Sequence, residues 1–192
     1  SFSGLDSWTN LAHAMYDYNV YRYAVTEGSQ AVAAASLVEV KHPVFGHYLV
    51  TAPFGSYGGF AFESQIARDL LLNEVSRLAE QLKVEYVVIR FDEGESTPPV
   101  NWIQHPAYYT YLVDLSPGPE AILKTFSSDH RNHVRKSARK GFTVRFGHLD
   151  LLDDIYEALA RSMHELGSPY HAKTYLQKMA EFLGDTLEFA VL

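Results

Sequence analysis

Between Arg131 and Arg145 the chain places six bases, Arg131, Arg135, Lys136, Arg139, Lys140 and Arg145, and no acid. The whole sequence has 16 Lys+Arg against 23 Asp+Glu, a net charge of −7, so this segment runs against the composition around it. Arg131, Arg135 and Arg139 are four apart and form one row along a helix, with Val134 and Ala138 facing elsewhere. Charge runs on ordinary solvated helices usually mix signs, and this one does not. A row of guanidiniums suits a phosphate, a carboxylate or the protein's own acidic surface.

Three other places carry residue types able to do chemistry. In Pro53-Phe54-Gly55-Ser56-Tyr57-Gly58-Gly59, paired glycines let a backbone come close to a ligand that the Tyr57 hydroxyl can bond. The same residues also make an ordinary tight strand-to-helix connection. Arg90 closes an apolar run, where it either faces a ligand at the mouth of a sheet or pairs with Asp92 or Asp114. Gly167-Ser168-Pro169-Tyr170 lies between two helical patterns, where Gly and Pro are ordinary punctuation.

Several chemistries are excluded or disfavoured. The sequence has no cysteine, hence no disulfide, thiol nucleophile or zinc-thiolate site. A serine-hydrolase elbow is not matched, because Gly55-Ser56-Tyr57-Gly58-Gly59 puts the serine one position early. His130 and His133 share a helix face, but the cations beside them repel a metal ion and no second ligand pair is near, so no metal is expected. Neither a phosphate-loop lysine motif nor a dinucleotide glycine motif occurs.

With 192 residues, 47% hydrophobic and 14% aromatic, the chain can build a substantial core. Periodicity predicts a helix at Trp8–Tyr16, a hairpin of Tyr21–Thr26 and Ala31–Val40 around Glu27-Gly28-Ser29, and a strand at Tyr48–Ala52. Ile66, Leu70, Leu71, Val75, Leu78 and Leu82 mark one face of a long helix. Tyr86–Phe91 reads as a buried strand, 93–106 as a loop and Tyr108–Leu115 as a strand. A short helix opens at Pro119. The basic helix follows, with Ser127 or Ser128 as its cap, Asp129 at the positive end of its dipole and Gly141 as its stop. Strand Thr143–Phe146, helices Leu151–Leu166 and Ala172–Leu183 and strand Leu187–Leu192 complete the order, with an echo of the opening elements after Gly141. The longest apolar stretch, Ala31–Leu37, is far short of the roughly 20 residues a membrane span needs, and a cytoplasmic protein with no transmembrane segment is expected.

In this order the segments resemble the FemAB-like family, the peptidoglycan bridge-forming aminoacyl transferases and their relatives in the GNAT acyltransferase superfamily. Five segments carry the resemblance: Pro53 to Gly59, Tyr86-Val87-Val88-Ile89-Arg90, Tyr111-Leu112-Val113-Asp114-Leu115, Arg131 to Gly141, and Leu166-Gly167-Ser168-Pro169-Tyr170. It implies an α+β protein with a GNAT-like mixed sheet and flanking helices. Residues 1–126 would be a first subdomain, 127–141 a connecting basic helix and 142–192 the start of a second subdomain. It implies transfer of an activated acyl or aminoacyl group to an amine of a cell-envelope precursor, peptidoglycan or polysaccharide. No cofactor is bound, and the donor is either an aminoacyl-tRNA or an acyl-CoA. Arg131, Asn132, Arg135 and Lys136 would hold an anionic small-molecule or lipid-linked precursor, Tyr57 and Arg90 would line the first subdomain's side of a cleft, and Gly58, Gly59, Ser168 and Tyr170 would complete the substrate-binding set. The catalytic base stays open among Asp114, Tyr57 and the substrate itself.

The chain departs from that pattern in length and in lacking a heptad arm for tRNA. Ending inside an apolar strand, it is expected to lack a C-terminal part, and the open edge at Leu187–Leu192 offers a route to a homodimer. A non-catalytic anion-binding module derived from such an enzyme is the alternative reading. Nucleic-acid binding through the basic helix ranks third, since the rest of the chain is acidic.

Overall fold

A computed structural model describes residues 6–90, 101–105 and 111–192. The elements in chain order are α1 (Asp6–Tyr16), β1 (Asn19–Glu27), β2 (Gln30–His42), β3 (Gly46–Val50), β4 (Phe60–Phe62), α2 (Gln65–Leu82), β5 (Tyr86–Val88), α3 (Pro119–Thr125), α4 (Ser128–Arg139), β6 (Arg145–Gly147), α5 (Leu152–Glu165), α6 (Lys173–Leu183) and β7 (Phe189–Val191). The α+β expectation is met: a mixed sheet runs β1-β2-β3-β5, and β4 pairs beside β3 on the long strand β2. β1, β3 and β4 are antiparallel to β2, whereas β5 is parallel to β3 because α2 carries the chain back across the sheet.

The period-2 pattern of β2 explains why the sheet is covered on both faces. Ala33, Ala35 and Leu37 meet Leu71, Val75 and Leu78 of α2, while Val38 and Val40 point the other way and meet Ala12 of α1. α2 starts where the Ser64 hydroxyl accepts from Ala67 N at 3.2 Å, and it ends at Lys83 in the left-handed region.

α1 has a second face. Its Trp8 and Leu11 join Leu151, Tyr175, Leu176, Ala180 and Phe189 in another apolar cluster, formed with α5, α6 and β7. There β6 and β7 pair antiparallel, Arg145 opposite Val191. α1 is therefore wedged between the first sheet and the C-terminal helices, and the Trp8 indole donates to the Pro53 carbonyl at 2.7 Å.

Some elements differ from the sequence reading. On α2, Ile66 and Leu70 are exposed and the small Ala67 is buried, because close packing on the sheet favours a residue without bulk there. β5 covers Tyr86–Val88, Ile89 and Arg90 are not strand, and Phe91 lies outside the described residues; β5 is an edge strand with Tyr86 exposed, since nothing pairs its other side among the described residues. Of the strand expected at Tyr108–Leu115, the first three residues lie outside the described residues. Residues 111–115 are not strand, and Tyr111, Leu112, Val113 and Leu115 are exposed. Strand β4 was not foreseen.

Candidate functional site

The loop after β3 is fixed by its own backbone and by Arg90. Thr51 N donates to Val88 O at 3.0 Å, Gly58 N to Arg90 O at 3.0 Å and Gly55 N to Ala52 O at 3.0 Å. Arg90 N donates to the Thr51 hydroxyl at 3.0 Å, and its guanidinium donates to Gly55 O at 2.6 Å. Ala52 and Phe54 both have positive φ, 49° and 60°, conformations that cost a non-glycine residue energy and persist only where surroundings impose them. Gly59 is needed for space: a Cβ there would stand 3.2 Å from Ser36 O and 3.3 Å from Ala52 N. The close approach at this glycine is thus to the protein's own backbone. Tyr57 sits half-buried in the same loop.

Of the two acids weighed for Arg90, Asp92 lies outside the described residues, and Asp114 is engaged elsewhere. The Asp114 carboxylate accepts from Ser116 N at 2.9 Å and from its hydroxyl at 2.8 Å, and these bonds hold its pKa below the usual value. Tyr48 stacks on Tyr86 at 4.9 Å, and burial raises its pKa, reinforced by Tyr86 and Tyr18 and opposed by the Arg90 charge.

Ser168 is exposed, and Tyr170 touches this loop only through His171, which packs on Phe54. Gly167 N donates to His164 O at 3.0 Å and Ser168 N to Met163 O at 2.9 Å, which closes α5 in a Schellman motif with Gly167 at φ 68°. The motif turns the chain so that Tyr170 and His171 face α1 and the Phe54 loop. There His171 is ringed by Tyr175 at 4.2 Å, Phe54 at 5.1 Å, Tyr170 at 5.7 Å and Tyr16 at 6.2 Å. Tyr16 Oη and His171 Nδ1 share a hydrogen bond of 2.6 Å, and Tyr18 stacks on Tyr16 at 5.4 Å. Burial raises the pKa of the Tyr16, Tyr170 and Tyr175 hydroxyls, reinforced in each case by neighbouring tyrosines, and burial lowers that of His171. At neutral pH the junction is an uncharged aromatic nest with Arg90 at its edge.

The basic helix α4 is set apart from this junction. None of its residues is buried, and the bonds that Arg131 and Arg139 make stay within residues 124–139. Arg131 donates to the carbonyls of Lys124 and Phe126 and so caps the C-terminus of α3. Arg135, Lys136 and Lys140 have no ion-pair partner among the described residues, whereas Arg145 is paired with Asp154. Asn132 is exposed beside them. Both ends follow the sequence signals: the Ser127 hydroxyl accepts from His130 N at 3.3 Å, and Gly141 N donates to Ala138 O at 3.1 Å.

Sequence reasoning missed Tyr16, Phe54, His171 and Tyr175, which no local period connects. It also missed Glu39, whose side chain is only 1% exposed and accepts from Asn19 at 2.8 Å, Tyr21 at 3.1 Å, His47 at 2.7 Å and Lys41 at 3.0 Å. Burial alone would raise the Glu39 pKa, but these bonds outweigh it and bring it down to about 2. Among the described residues no group of three or more His, Asp or Glu side chains is arranged to hold a metal ion.

Together these features define a mixed-sheet α+β protein with an aromatic junction between the loop after β3 and the C-terminal helices, and with an exposed basic helix set apart from it. Residues 103–192 match the sequence model of the FemAB family, so the resemblance seen in the sequence segments is borne out by an independent comparison. The fold is similar to that of a solved protein described as "Crystal structure of FemX", with a TM-score of 0.66 and 17% identity, over 95% of this chain and 49% of that one. The chain thus spans about half the length of FemX. No curated protein matches. No helix among the described residues is long and apolar enough to cross a membrane.

Proposed function

We propose that the chain serves an acyl or aminoacyl transferase of FemAB-like type, moving an activated acyl group onto an amine of a peptidoglycan or other cell-envelope precursor. The observation that carries this reading is the family match over residues 103–192, a span that contains both α4 and the loop bearing Ser168 and Tyr170. In this reading 1–126 and 142–192 belong to two GNAT-like subdomains joined by the basic helix, and the protein is cytoplasmic. The amine reacts between the loop of Tyr57, Gly58, Gly59 and Arg90 and the loop of Ser168 and Tyr170. Arg131, Asn132, Arg135 and Lys136 hold the precursor's anionic group. Such a transfer requires that amine and activated carbonyl be brought together and that the amine's proton be removed, with no covalent enzyme intermediate.

Either an aminoacyl-tRNA or an acyl-CoA supplies the acyl group. Incubating the chain with each donor and a nucleotide-linked muropeptide, and reading products by mass spectrometry, tests the proposal. The expected result is a gain of one acyl residue on the acceptor amine with one of the donors. No product with either donor, alongside retained binding of inorganic diphosphate, would favour the second reading, an anion-binding module. That reading is supported by the exposed cations of α4, which among the described residues make no bond to the aromatic junction.

A further inference from the structure

We infer that His171 is the proton acceptor of the transfer reaction, and that the aromatic rings around it form the seat of the acceptor's primary amine. This inference rests on the transferase reading. Its first support is geometry. The imidazole is clamped by a near-parallel stack on Tyr175, 20° between planes, and by the edge of Phe54, 85° between planes. Tyr16 fixes Nδ1 at 2.6 Å. Nε2 has no protein partner among the described residues and is not a buried orphan; of the side-chain atoms described, only His148 Nε2 is. With the ring proton on Nδ1 and donated to Tyr16 Oη, Nε2 presents its lone pair, which is the arrangement a general base requires.

The surroundings favour the neutral imidazole. The rings against it are Tyr16 of α1, Phe54 of the loop, and Tyr170 and Tyr175, with Tyr18 behind Tyr16 and Tyr156 of α5 behind Tyr170. None is charged, and Lys173, the nearest base in sequence, is paired with Asp153. Burial depresses the His171 pKa, so the ring is free to accept a proton at neutral pH. Aromatic faces also attract the positive charge that develops on an attacking amine nitrogen. The competing carboxylates are poor bases: Asp114 is held by Ser116, and Glu39 is held ionised at a pKa of about 2.

The step balances as follows. The neutral amine attacks the carbonyl carbon of the ester or thioester, forming the N–C bond and placing the carbonyl electron pair on oxygen. The nitrogen's surplus proton passes to Nε2 of His171. The C–O or C–S bond then breaks, and the imidazolium returns the proton to the leaving oxygen or sulfur, regenerating neutral His171.

Two variants test it, His171→Gln and His171→Phe, the second keeping the aromatic packing, with thermal melts to check folding. Where the native chain transfers, both variants are expected to lose about 100-fold or more in kcat with KM little changed, and to lose the acidic limb of the pH profile. Native rates in either folded variant would overturn the inference and leave the transferase reading intact. If the native chain shows no transfer, that reading fails by itself, and nitrogen NMR of the imidazole decides the amine seat. Adding N-acetyl-lysine amide is then expected to shift Nε2 of His171, while its Nζ-trimethylated analogue, whose side-chain nitrogen has no N–H to share, shifts it less. An unmoved Nε2 signal would overturn the seat as well.

Discussion

Taking a carboxylate out of water costs several kcal/mol unless hydrogen bonds replace its hydration. Glu39 meets that condition with Asn19, Tyr21, Lys41 and His47. Its folded pKa, about 2, lies below the ordinary value of 4.5, so over that interval the unfolded chain binds more protons than the folded one. Stability is therefore expected to be complete above pH 4.5 and to fall as pH drops through about 2, by about 3 kcal/mol from this residue. Glu39→Gln should lose a comparable amount at neutral pH and flatten the acid limb. Urea midpoints measured from pH 2 to 7 check this, and superimposable curves for the two proteins would remove the stabilising role given to the ion network. The site shows the same limit of single-residue reading. Arg90 stood out as a lone cation in an apolar run, but nothing in its sequence neighbourhood showed that Gly55 O would receive it.

At the scale of elements, the Phe54 loop depends on Gly59, whose φ of 72° and crowded Cβ position both resist a side chain. Gly59→Ala is expected to cost about 1–3 kcal/mol by the strain it imposes on Ser36 O and Ala52 N. The equivalent change at Gly28, where nothing stands within 4 Å, should cost less, which separates crowding from the positive-φ penalty. Denaturant titration of the two variants makes the comparison, and equal losses would show that crowding at Gly59 does not matter. Elements with local signals were legible in the sequence: the α1 helix, the β1–β2 hairpin, α2, and α4 with both of its caps. β4 was not legible, because three residues carry too little period and its partners Ala33–Ala35 are remote in sequence. The apolar alternation at 111–115 looked like a strand but has no partner strand among the described residues. The basic row could be read because its members share one helix. The aromatic junction could not, since Tyr16 and His171 stand 155 positions apart and meet only once α1 lies between sheet and α6.

At the scale of the whole molecule, an acidic chain displays its strongest positive field on a helix that contributes no buried residue to the fold. Charge and stability are thereby separated, and substitutions on α4 can test binding without unfolding the protein. Arg131 is the exception because it caps α3, so the informative variant neutralises Arg135, Lys136 and Arg139 to Gln and leaves Arg131 in place. Its stability should stay within about 0.5 kcal/mol of the native protein, as expected for exposed side chains making few contacts. Inorganic diphosphate should bind the native chain with an affinity that falls as salt rises, through screening of exposed charges, and the triple variant should lose most of that affinity and its salt dependence. Calorimetric titration at two salt concentrations reads both effects. Undiminished binding in the variant would move the anion site to Arg90 and the aromatic junction, and the donor and acceptor would then have to share one pocket instead of being held at two separated places.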